Sequence, residues 1–364
     1  MSMKTKFLAV LMISATTAYA DIAGSFIQLH RGKADRTVNE WREDFQQIKV
    51  LGGDTVIVQW TAEQPVLYFD PSRGGRMSSP GVAGDEPIPL SRDTADHLRG
   101  MEEVYPVVER IFVAAEKEGM TLMLGLQHHP EYWDQIKGRE KVVRDFFRVR
   151  MARNESLQRT LLEAFGDRAV WTGYYIPDEV DDSTWRARDM SKLVRTYVHT
   201  MASILRDNDP ERSIAISAFF RGRTDPDRVA ENFMDIMAGS EIDYLLLQDG
   251  VGVGDPPLPY VHLYYEAFNR KWTPEGAGER GALPELWCVV ETFEQTSGPD
   301  EPFVAVPAPA ERLRGQVHVA QSYFPRLILF TYGNYLRPDL GPEAREAFEA
   351  IIGASKPNSL LKEE

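Results

Sequence analysis

One cysteine, Cys288, occurs in 364 residues, so no internal disulfide can form and the fold must be held by its core. Cys288 stands inside the apolar run LWCVV and reads as a small buried hydrophobe, not a reactive thiol. Basic residues are also in deficit, 41 Lys and Arg against 55 Asp and Glu, a formal charge of −14. That deficit argues against nucleic acid or an anionic membrane surface as partner, because both select basic faces. Long apolar runs are missing as well. The run Phe7–Ile13 falls far short of the ~20 residues a membrane-spanning helix needs, and no later stretch supplies them. Neither HxH nor HExxH occurs, and neither does the GxSxG of a serine hydrolase. The two neighbouring histidines of QHHPEYW (127–133) point to opposite faces if they lie on a strand, so they cannot share one ion. No metal and no cofactor is expected. QDGVGVGD (248–255) lacks the Lys-Ser/Thr of a phosphate-binding loop and reads as a glycine-rich turn after a strand.

What is present begins with a secretory pattern. Lys4 and Lys6 precede the Phe7–Ile13 run, and Ala18-Tyr19-Ala20 offers small residues for cleavage. Residues 1–20 are expected to be a removed signal peptide, and residues 21–364 a single periplasmic or secreted domain that is not an integral membrane protein. Without residues 1–20, which carry two lysines and no acid, the formal charge is −16.

Eight short apolar runs follow: 24–30, 54–61, 121–129, 171–179, 213–220, 243–250, 286–293 and 327–335. They are nearly continuously apolar, the pattern of parallel strands covered outside by helices. Between them lie amphipathic segments with helix signals. Thr37 and Glu40 form a capping box, Gly52 stands at a helix stop, and Asp225-Pro226 opens a helix that closes at Gly239. Eight strand–helix units predict a (β/α)8 TIM barrel. Two Gly- and Pro-rich connections, 62–90 and 294–309, follow strands two and seven. Both should wall a cleft at the C-terminal face of the barrel, where such folds build their sites.

A barrel interior is filled by branched apolar side chains, so polar strand ends need a reason. Every predicted strand here ends polar or aromatic: Gln28 and His30; Gln59 and Trp60; Gln127, His128 and His129; Asp178 and Glu179; Arg221 and Arg223; Gln248 and Asp249; Glu291; Tyr332, Asn334 and Tyr335. Amides and carboxylates for hydroxyls, with flat rings for C–H faces, are the lining a sugar needs. His128 is expected as a substrate contact and Trp133 as a loop platform. Tyr332 and Tyr335 are expected as a subsite floor, and Asp249 is read either as a sugar contact or as a cap on its loop. Glu179 and Glu291 end strands four and seven, which should face each other across the barrel. Glycoside hydrolysis needs such a pair, a proton donor and a second carboxylate acting from the opposite face.

The arrangement resembles the large clan of retaining (β/α)8 glycoside hydrolases. More closely, GSFIQLH, VIVQWT, YYIPDEVDD, LLLQDGVGVGD, ETFE and FTYGNYL resemble the DUF4434 domain over residues 24–336. That resemblance implies Glu179 as general acid/base and Glu291 as nucleophile. The clan usually has asparagine before its acid, where this chain has Asp178. A carboxylate there is expected either to accept from a sugar hydroxyl or to raise the pKa of Glu179 by like-charge repulsion. Asp181 and Asp182 are expected to begin the next helix. The reading is an exported, endo-acting, retaining glycoside hydrolase of a bacterial polysaccharide or exopolysaccharide. The alternative is a non-catalytic carbohydrate-binding barrel of an exopolysaccharide assembly or export system.

Overall fold

All eight apolar runs become strands: β1 (Asp21–Ile27), β2 (Thr55–Val58), β3 (Thr121–Gly125), β4 (Trp171–Asp181), β5 (Ser213–Phe219), β6 (Tyr244–Gln248), β7 (Glu285–Glu291) and β8 (Arg326–Phe330). In this computed structural model, which describes residues 21–71, 101–298 and 301–355, they pair in sequence order into a closed parallel barrel. The expected signal peptide and residues 72–90 of the first long loop lie outside the described residues. Each strand leads to a helix: α1 (Val38–Val50), α2 (Val107–Glu118), α3 (Glu140–Phe165), α4 (Arg188–Asn208), α5 (Pro226–Met237), α6 (Leu258–Lys271), α7 (Ala310–Gln321) and α8 (Pro342–Ser355). The chain is therefore a (β/α)8 TIM barrel. No helix among the described residues is long and apolar enough to cross a membrane.

Local chemistry sets the helix ends. At α1 the Thr37 hydroxyl accepts from the Glu40 N–H and the Glu40 carboxylate accepts from the Thr37 N–H, so two otherwise orphaned donors are satisfied. At α5 the Asp225 carboxylate accepts from the Arg228 N–H, and Pro226 occupies the first turn, where its missing N–H costs nothing. The chain leaves α5 through Gly239 at φ +76°, a conformation that a Cβ would strain.

The core has two layers. Between strands and helices lies a continuous apolar shell that includes Trp41, Phe112, Val198, Phe233 and Cys288. Inside the barrel, every strand contributes to a second cluster, with Phe26, Ile57, Met123, Tyr175, Ala215, Leu246, Val289 and Ile328 joined by Ala23 of β1 and Trp287 of β7. Side chains alternate along a strand, so residues two further on also face inward, one level nearer the C-terminal mouth. On β1, β2, β6, β7 and β8 these are Gln28, Gln59, Gln248, Glu291 and Phe330.

The connections differ from simple loops. Residues Ala62–Glu63, Val66–Leu67, Glu103–Val104 and Gln127–His128 build a small four-stranded sheet above β2 and β3. After β7, Phe293–Gln295 pairs antiparallel with Ala305–Pro307. Asp181 and Asp182 do not begin a helix, because β4 runs through Asp181, whose carboxylate caps the turn at Ser183 and Thr184, and α4 starts only at Arg188. Tyr332–Leu336 is one π-helical turn beyond β8, not strand.

Candidate active site

The end of β4 decides which of two neighbouring acids reaches the barrel interior. Its ladder with β5 is regular to Ile176↔Ile216 and resumes at Val180↔Ala218, so four steps on β4 oppose two on β5. Pro177 has no N–H to give a ladder, and a bulge at such a point re-aims the side chains beside it. Asp178 turns outward, where it is 2% exposed and accepts three hydrogen bonds of 2.8–3.2 Å from Arg150 of α3 and a fourth from the Tyr197 hydroxyl of α4. Glu179 turns inward, half-buried, and its Oε1 accepts from Gln248 Nε2 at 2.8 Å. The Tyr132 hydroxyl donates to the Glu179 carbonyl at 2.7 Å and pins the bulge. Burial pushes the Glu179 carboxyl up to about 7, and the charges of Asp181 and Asp178 add to the rise.

Glu291 ends β7, three strands around the ring from β4 and thus not diametrically opposite it, as the sequence had implied. It is 5% exposed, and its Oε2 accepts from the Gly252 and Val253 N–H groups at 2.7 and 3.3 Å. Burial first, then the negative charge of buried Asp249, raise its pKa, and the Glu179 charge contributes to the same rise. The two glutamates therefore feel one another across the mouth. A Cβ on Gly252 would sit 2.7 Å from Glu291 Oε2, so glycine is what lets the backbone press against the carboxylate.

Around the pair, Gln28 Oε1 accepts from Asn334 Nδ2 at 2.6 Å, and Lys33 Nζ ties Asn334 to the Gln28 carbonyl with two bonds of 3.0 Å. Gln59 Oε1 is buried and takes no hydrogen bond among the described residues. The Trp60 indole donates to the Leu29 carbonyl and stacks on His128 with centroids 4.6 Å apart. Burial, helped by the Arg150 charge, lowers the His128 pKa to about 4, so this ring is neutral at pH 7. His129 goes elsewhere, edge-on to Phe146 of α3. Trp133 meets Phe219 edge-on at 5.4 Å, and Tyr335 packs on Phe293 close enough to Glu291 for that charge to raise its pKa after burial.

Five expected substrate contacts are placed otherwise. Asp178 spends its acceptors on Arg150 and Tyr197, because it lies on the helix side of β4. Gln127 is buried in the same network, with side-chain and backbone oxygens both accepting from Arg150. Asp249 is 1% exposed beneath Glu291, and of the two roles read for it, it takes the loop-capping one. Tyr332 is 2% exposed against Phe348 of α8 and is no subsite floor. His30 is exposed at the start of the 31–33 turn, off the inward-facing ring. Sequence reasoning placed Gln248 in the strand-end ring but passed over Phe219 and Phe330, and it missed the Gly252 and Val253 amides. Counting two residues on from each interior position finds Gln248 and Phe330.

A candidate alpha-L-fucosidase from Bacteroides thetaiotaomicron superposes with TM-score 0.65 at 18% identity, covering 97% of this chain and 99% of that one. The endo-beta-1,4-mannanase of Thermotoga petrophila gives 0.54 at 11% identity, covering 94% and 78%. At such identities the likeness is one of fold. In sequence, the chain is 22% identical over 273 residues to the uncharacterized protein YbcH of Escherichia coli (strain K12), covering 75% of this chain and 76% of that one. Residues 22–342 match the family described as a domain of unknown function, DUF4434, and the chain belongs to that family.

Proposed function

We propose that the protein is a glycoside hydrolase in which Glu179 is the general acid/base and Glu291 the nucleophile. The observation that carries this reading is the pair itself: two carboxylates from β4 and β7, both raised in pKa by burial, one hydrogen-bonded by Gln248 and the other gripped by two backbone amides. A group that must donate a proton near neutrality needs such a raised pKa. An attacking carboxylate needs fixed geometry, and both amides hold Oε2, which leaves Oε1 for the anomeric carbon. Retention follows from that assignment. Glu179 protonates the glycosidic oxygen while Glu291 forms the glycosyl ester, and Glu179 then takes the proton of the water that releases the sugar.

The amides Gln28, Gln59, Gln248 and Asn334, with Trp133, Phe219 and Tyr335, suit a neutral glycan. Extra structure after β2 and β7 supports a walled cleft and hence endo cleavage of a polysaccharide. The pattern in residues 1–20 supports export to the periplasm or medium. The fold shared with the fucosidase candidate and the mannanase is consistent with this chemistry, although one fold hosts many activities.

The test is a reducing-end screen across a polysaccharide panel with wild type, Glu179→Gln and Glu291→Gln. Cleavage by wild type alone is the expected result. Glycan binding by all three proteins without any new reducing ends would instead identify a carbohydrate-binding barrel.

A further inference from the structure

Behind Glu291 lies a second buried acid that direct contact with substrate does not explain. Asp249 follows the last residue of β6. Its Oδ1 accepts from the N–H groups of Val251 at 3.1 Å and Glu291 at 3.4 Å, and its Oδ2 accepts from Gln316 Nε2 of α7 at 2.6 Å. The same Gln316 amide donates to the Glu291 carbonyl at 3.1 Å. One turn earlier on α7, Arg312 donates to the Val251 carbonyl at 2.7 Å and to the Phe293 carbonyl. Asp249 thus ties the end of β7 to the turn whose next two residues, Gly252 and Val253, supply the amides that hold Glu291.

We infer that Asp249 is a positioning residue for Glu291, which builds the amide cradle and sets a fixed negative charge behind the attacking carboxylate. The inference rests on reading Glu291 as the nucleophile. Among the described residues, Asp249, Arg312 and, once it has given up its proton, Glu179 bear charge on Glu291, whereas burial keeps Tyr265, Cys288 and Tyr335 neutral. Burial raises the Asp249 pKa to about 6, and the hydrogen bonds from Gln316, Val251 and Glu291 with the Arg312 charge limit the rise, so at pH 7 its negative charge bears on Glu291.

The consequence is chemical. As an Oε1 electron pair forms the bond to the anomeric carbon, the glycosidic C–O bond breaks and its oxygen takes the Glu179 proton. Glu291 loses its negative charge as the ester forms, so repulsion from Asp249 is relieved in the direction of reaction. When water attacks the same carbon, Glu179 takes its proton and the electron pair returns to Glu291.

Asp249→Asn keeps an oxygen for the Val251 and Glu291 N–H groups, and a flip of the Gln316 amide receives the new NH2 but gives up its bond to the Glu291 carbonyl. The fold is retained, and the charge and that one hydrogen bond are lost. The expected result is a slightly lowered melting temperature and an unchanged KM, with kcat lowered about tenfold and the rising limb of the pH profile about one unit lower, the size of a like-charge effect at close range. The carboxyl 13C titration of Glu291, assigned with Glu291→Gln, moves the same way and needs no substrate. Asp249→Ala removes the acceptor as well and lowers kcat further without an additional acidward shift. An Asp249→Asn protein with wild-type pH profile and wild-type 13C titration overturns the inference. If the titration moves while no glycan is cleaved, the positioning stands and the hydrolase reading fails.

Discussion

Asp178→Asn separates a stabilising role from a substrate contact at the residue beside the proposed acid. In the structure the Arg150 and Asp178 side chains are 1% and 2% exposed and meet at 2.8 Å. The substitution removes the negative charge and turns one acceptor into an NH2 group that faces the guanidinium. Arg150 is left as a buried cation without a countercharge, with the one remaining oxygen at 178 and the Gln127 oxygens as its acceptors. Breaking a buried pair in this way costs about 3–5 kcal/mol. At about 2 °C per kcal/mol for a domain this long, the melting temperature should fall by about 6–10 °C. The measurement is thermal unfolding at pH 7, with urea unfolding to check that the m-value is unchanged. Pairing Asp178→Asn with Arg150→Met should recover much of the loss, because the stranded charge is gone. A single mutant that melts within about 1 °C of wild type, well below the drop a broken buried pair predicts, yet binds glycan weakly, would refute the reasoning and return Asp178 to the substrate.

Four further outcomes are expected. Gly252→Ala should displace Glu291 and weaken a charge-assisted hydrogen bond, lowering kcat/KM roughly tenfold to a hundredfold, and should lower the melting temperature too, because the new Cβ would also sit 2.8 Å from the Phe293 carbonyl oxygen. Glu179 must be protonated to act, and its raised pKa of about 7 keeps the proton below that pH, so activity should fall as pH rises through about 7. Gln248→Leu removes a donor to the charged form of Glu179 and should move this falling limb to higher pH. Burial lowers the Lys33 pKa from 10.5 to about 8, so between these values the unfolded chain binds the extra proton and wild-type stability should rise with pH relative to Lys33→Met in chemical unfolding.

The eight strands were readable because strands covered on both faces are apolar throughout, and no competing helix has so short a run. The capping box at Thr37 and the Asp225-Pro226 start were readable because both are local. The setting of Asp178 was not. Alternation from interior Tyr175 carries residue 178 to the helix side, but its partners Arg150 and Tyr197 lie on other elements, and Arg150 looks like one of many arginines on a polar helix. Asp249 was ambiguous for a similar reason, since Gln316 and Glu291 reach it from elements dozens of residues away. Tyr332 misled because an aromatic just past β8 can face the cavity or α8, and the π turn sends it to α8.

The bulge in β4 makes two adjacent codons independent of each other. Residue 178 belongs to the shell and residue 179 to the cavity, so the thermal tolerance of the protein can be altered at one without retuning the other. The bulge itself is held by the Tyr132 hydroxyl on the Glu179 carbonyl, a bond to backbone that no substitution of either acid removes. A designer could therefore exchange Arg150 and Asp178 for apolar partners of matching volume and leave the proton donor aimed as before. Deleting Pro177 would do the reverse, swapping the neighbours so that the shell receives a glutamate and the cavity an aspartate one methylene too short.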